Sequence, residues 1–122
     1  MKKASILAVI ILASCGDNLD PGLRVDTWRD AEDVWAEAWC SYQTRCHPDS
    51  LATLYDSHEE CVVDVRSDNC SFRENTSFPD CDEPFPQIHL DEMQQCSDEM
   101  SELDCGATQA PDVCFVAFSE SK

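Results

Sequence analysis

Positive charge is scarce in this chain. Eight Lys and Arg stand against 25 Asp and Glu, a formal net charge of −17. All 25 acids but only six of the eight bases follow residue 14, so that part alone carries −19. A surface this acidic repels nucleic acid and anionic lipid headgroups, and it favours cations and basic partners. Long apolar runs are missing too. The longest, Ile6 to Ala13, covers about eight residues where a membrane span takes roughly twenty. Glycine is rare at three residues, and no Gly-rich phosphate loop, dinucleotide fingerprint or Gly-x-Ser-x-Gly elbow occurs. The three histidines, His47, His58 and His89, are scattered, and no Cys-x-x-Cys is present. These absences argue against nucleotide chemistry, serine hydrolysis, a zinc centre and thioredoxin-like exchange. No catalytic residue, metal ligand or cofactor is assigned, and the chain is read as not an enzyme.

Cysteine, by contrast, is plentiful: nine residues. The first follows Lys2 and Lys3, the apolar run and the small pair Ala13-Ser14, an arrangement of basic start, apolar middle and small-residue cleavage site. Leu12-Ala13-Ser14-Cys15 resembles the lipobox of bacterial lipoproteins. The resemblance implies a signal peptide over 1–14 that is removed, lipidation of Cys15, and anchorage in a bilayer through that acyl group. Gly16, rather than an aspartate, after Cys15 implies the outer membrane of a cell envelope. Residues 15–26, with Gly16, Pro21 and Gly22, read as the lipid anchor and a flexible tether. Residues 27–122 read as a single cysteine-rich helical domain.

Within that domain the apolar residues recur at helical spacing. Thr27 caps a helix to about Cys46, and Asp30 completes a capping box. Trp28, Ala31, Trp35, Ala38, Trp39 and Tyr42 form one stripe, read as core. Leu51, Leu54 and Tyr55 predict a short helical turn. Ser57 and Glu60 open a second helix over about 58–69, and Leu90 to Asp104 forms a third with Met93 and Met100 inside and Gly106 as its cap. Residues 70–86 hold three of the six prolines and read as a long loop pinned by Cys70 and Cys81. Phe115, Val116 and Phe118 are expected to dock on the core. The expected fold is mainly α, a small disulfide-stapled bundle of about three helices with long irregular loops.

Removing Cys15 leaves eight cysteines, Cys40, Cys46, Cys61, Cys70, Cys81, Cys96, Cys105 and Cys114, an even number in a small exported domain and so four disulfides. Cys40 and Cys46 share a helix and cannot pair, since six residues rise ~9 Å. Cys61 and Cys70 face opposite sides of theirs. The expected pairs are Cys46–Cys61 and Cys40–Cys70, holding the first two helices antiparallel. Cys46, Cys61 and Cys70 are spaced 15 and 9 apart, and so are Cys81, Cys96 and Cys105, which leaves a duplication open.

Together, the Leu12–Cys15 stretch, Trp39-Cys40 with Cys46, Glu60-Cys61, Gln95-Cys96, Leu103-Asp104-Cys105 and Pro111 with Cys114 resemble short cysteine-rich lipoproteins of myxobacteria and related delta-proteobacteria. That likeness implies fold and place but no activity. The function expected is a membrane-anchored, non-enzymatic, disulfide-stabilised acidic interaction or structural module, with a basic protein as the partner its charge favours. The alternative is an extracytoplasmic calcium- or cation-binding protein using Asp80, Asp82 and Glu83, although a helix–loop–helix calcium pattern is absent.

Overall fold

The computed structural model describes residues 23–119. The expected signal peptide over 1–14, the expected lipidation site Cys15 and most of the expected tether lie outside them. Five α-helices, rather than about three, make up the described fold: α1 (Trp28–Cys46), α2 (Pro48–Leu54), α3 (His58–Glu74), α4 (Leu90–Ser101) and α5 (Asp112–Ala117). Among the described residues there is no strand, only an isolated bridge between Thr27 and Pro84. No described helix is long and apolar enough to cross a membrane.

Helix α1 is the spine. The Thr27 hydroxyl accepts from the Asp30 N–H at 3.4 Å, and Asp30 Oδ2 accepts from the Thr27 N–H at 3.2 Å, so the capping box forms as read. The next two free amides are also satisfied: Trp28 N–H donates to Glu83 O at 3.0 Å and Arg29 N–H to Cys81 O at 2.8 Å. The 70–86 segment thereby closes the start of α1, and Phe85 seats edge-on against Trp28, ring centroids 4.8 Å apart.

One face of α1 carries the aromatic stripe. Trp28, Ala31 and Tyr42 are buried, while Trp35, Ala38 and Trp39 are half-buried. Two core clusters form along it. Val25, Trp28, Ala31, Phe85, Met93 and Ala117 make one. Tyr42, Cys96, Met100 and Cys114 make the other. Both helical methionines are core, as their spacing indicated. The second face, Glu32, Ala36 and Cys40 at i, i+4 and i+8, is also buried and lies against α3. The helix is therefore buried on two sides, and a second helix crosses it antiparallel: Cys40 meets Cys61 near the start of α3, and Glu32 meets Arg73 near its end.

The disulfides are Cys40–Cys61, Cys46–Cys105, Cys70–Cys81 and Cys96–Cys114. Both expected pairs, Cys46–Cys61 and Cys40–Cys70, are corrected. The register of the α1–α3 hairpin is the reason. Helix α2 fills the connection between them, with Pro48 at its first position, and puts Cys61 level with Cys40 instead of with Cys46. Cys46 then lies beyond the hairpin and reaches Cys105 after α4. Cys70, a half-turn away from Cys61, reaches the loop. The pairing follows the recurrent spacing: the first cysteine of each set of three bonds the third of the other, and the middle ones take Cys40 and Cys114.

Several boundaries differ from expectation. Helix α3 continues through Glu74 instead of ending near 69, because Cys70 and Arg73 are buried on its inner face. Helix α4 ends at Ser101 with Glu102 as cap, before Gly106. The C-terminal segment is a helix, and it docks only in part. Ala117 is buried and Phe118 packs near Trp28 and Trp35, whereas Phe115 and Val116 are 57% and 46% exposed.

Candidate functional site

Arg73 is among the few bases the chain owns, and it is buried. Its Nε donates to Glu32 Oε2 at 2.6 Å, and both side chains are only 5% exposed. Neighbouring groups satisfy part of what this pair leaves over. Arg73 donates from a second nitrogen to Pro79 O at 3.0 Å, and Asn69 Nδ2 donates to Glu32 Oε1 at 2.8 Å. The guanidinium lies 4.2 Å from the centroid of the Trp28 ring, and Phe78 and Phe118 rings flank it at 5.8 Å. Burying two charges is costly unless they are paired and their remaining hydrogen-bonding groups are met. Here the charges are paired, and Pro79 O and Asn69 Nδ2 each meet a group that the pair leaves over.

Above this pair opens a groove of about 230 Å3 with mainly apolar walls. Trp35 comes from α1, Phe72 from α3, Phe78 from the loop, and Phe115 and Phe118 from α5 and its cap. Four of the five phenylalanines of the chain line it. Phe72 and Phe115, at 59% and 57% exposed, stand at its mouth. The Cys96–Cys114 bond ties α5 to α4, and the Cys70–Cys81 bond ties α3 to the loop, so two walls are covalently fixed. A neighbouring cleft of about 220 Å3 shares Trp35 and Ala110 with the groove and extends it past Trp39 and Leu103.

The sequence-derived site residues fall elsewhere. All eight cysteines after Cys15 are bonded, and so present no thiol for chemistry. Asp80, Asp82 and Glu83 do adjoin one another, but they are engaged by the protein. Asp82 accepts from Arg29 at 2.8 Å, and Glu83 Oε2 accepts from the Asp80 N–H at 3.2 Å. Asp82 also holds the Arg29 guanidinium pKa above its ordinary value, chiefly through that hydrogen bond. Among the described residues, no three His, Cys, Asp or Glu side chains converge as metal ligands. His58 bonds Glu37 at 2.8 Å, and Tyr55 donates to Asp64 at 2.7 Å, which pushes the phenol pKa up to about 12. Both contacts tie surface elements together, away from the groove.

The groove itself was not legible beforehand. Its walls come from segments separated by tens of residues, and Phe72 and Phe78 sit in a stretch without periodicity. The only local sign is Phe115 and Phe118 at i, i+3, which marks one helix face without saying whether it is covered. Comparison with protein-family models, with curated proteins and with solved structures brings no match to this chain.

Proposed function

We propose that this protein is a lipid-anchored, non-enzymatic interaction module of the bacterial cell envelope, with the aromatic groove as its binding face. The observation that carries the reading is the groove. Phe72 and Phe115 are left open to water whereas Trp28, Tyr42 and Phe85 are buried, and contiguous exposed apolar surface marks a binding site more often than chance. Disulfide staples on two walls favour it further, because a rigid face loses less conformational freedom on binding. The anchor rests on the lipobox resemblance at Leu12–Cys15, with Cys15 as the acylated residue, removal of 1–14 and residence in the outer membrane. Four disulfides agree with an oxidising compartment outside the cytoplasm. The cation-binding alternative draws on net charge and on the adjoining Asp80, Asp82 and Glu83, of which Asp82 and Glu83 already hold protein partners.

The test is a neutral apolar dye. Nile red is expected to brighten and shift to the blue with the wild-type protein and to lose most of that response with F72S/F115S, both substitutions being at exposed positions. Thermal melting of the variant should be unchanged within about 0.5 kcal/mol. Equal dye response from the two proteins, or none from the wild type, would overturn the reading.

A further inference from the structure

We infer that the occupant of the groove is a cationic peptide segment that inserts an aromatic or aliphatic side chain between flanking lysines or arginines. This rests on the groove being the binding face and adds the chemistry of the partner.

Charge complementarity around the groove carries the inference. Residues 23–119 contain 22 Asp and Glu but only five Arg and no Lys. Four of those arginines are already ion-paired: Arg24 with Asp26, Arg29 with Asp82, Arg66 with Asp33 and Arg73 with Glu32. The fifth, Arg45, lies over the Tyr42 ring and donates to Met100 O. The five arginines therefore leave these residues with an excess of 22 − 5 = 17 carboxylates. At the groove the contrast is local. Arg73 belongs to the groove lining, but it is buried and paired with Glu32, which lines the groove beside it. Two exposed acids stand one helical turn from the mouth: Asp68, four positions before Phe72 on α3, and Asp112, three before Phe115 on α5. An apolar slot edged by carboxylates selects a ligand with an apolar centre and positive flanks. It repels an anionic ligand and the headgroups of an acidic membrane. Long-range attraction from the whole acidic surface would also speed encounter with such a segment.

The experiment uses the full mature chain, residues 15–122, carrying Cys15→Ser and exported behind another leader so that it is made without lipid. Two short peptides are titrated by calorimetry, one alternating lysine with phenylalanine and one alternating glutamate with phenylalanine. The lysine peptide should bind at least about tenfold tighter than the glutamate peptide. Its affinity should fall as ionic strength rises from about 0.05 to about 0.5 M, where screening shortens to a few ångströms. F72S/F115S should weaken it at least about tenfold, and D68N/D112N should weaken it while leaving the Nile red response intact. Equal binding of both peptides, sensitive to F72S/F115S, would overturn the cationic partner and leave the groove as binding face. Lysine-peptide binding that ignores F72S/F115S, or no binding of either peptide, would also overturn the inference. So would cosedimentation with phosphatidylcholine vesicles, or a concentration-dependent dimer, abolished by F72S/F115S, since either assigns the groove to another occupant.

Discussion

Glu32 and Arg73 are 41 residues apart in sequence, and nothing near either one announces the other. Glu32 lies four positions before Ala36 and eight before Cys40, on a helix face that a polar residue would ordinarily leave to water. The pairing became visible only once α3 was laid antiparallel against α1. Thr27 and Asp30 are the opposite case. Their reciprocal hydrogen bonds span three residues, so local sequence was sufficient to read them. The buried pair gives a residue-scale expectation. E32A leaves the Arg73 guanidinium buried without its partner and should cost about 3–5 kcal/mol in urea unfolding. Replacing both by methionine removes both charges together and should cost far less than the single change. A single variant as stable as the wild type would mean that solvent reaches the pair.

At the scale of elements, the three long helices were legible because periodicity and caps are local properties. Helices α2 and α5 were harder. Pro48 reads as a breaker after Cys46, yet proline also suits the first turn of a new helix, and this second role holds here. Helix α5 has only six residues, and its ties to the rest of the fold are tertiary: Cys114 bonds Cys96, and Phe118 packs near Trp28 and Trp35. The disulfide count followed from parity, but the pairing depended on the register of α3 against α1, which parity does not encode. Cys46–Cys105 joins the end of α1 to the segment after α4 across 59 residues, the longest span of the four. Since the stabilisation from constraining the unfolded chain grows with loop length, C46A/C105A should lose about 4 kcal/mol, against about 3 for C70A/C81A, whose loop spans 11. Guanidinium unfolding of the two variants checks this. A loss under about 1 kcal/mol for C46A/C105A would contradict that role.

The whole molecule is a small acidic cage whose covalent ties do work that a larger core would do elsewhere. Its charge was plain from composition, and its groove was not, because exposure is a property of the assembled helices. On the proposed reading, the acylated Cys15 and a short tether hold this cage near its membrane with the groove available to a partner. The central claim joins anchor and cage in one molecule. Its most direct test is the intact mass of the protein purified from its own membrane, with thiols blocked and disulfides unreduced. The account expects residues 15–122 plus the lipid group, eight hydrogens short of the reduced chain, with no blocked thiol. A mass that retains residues 1–14, lacks lipid on Cys15 or carries blocked thiols would contradict it.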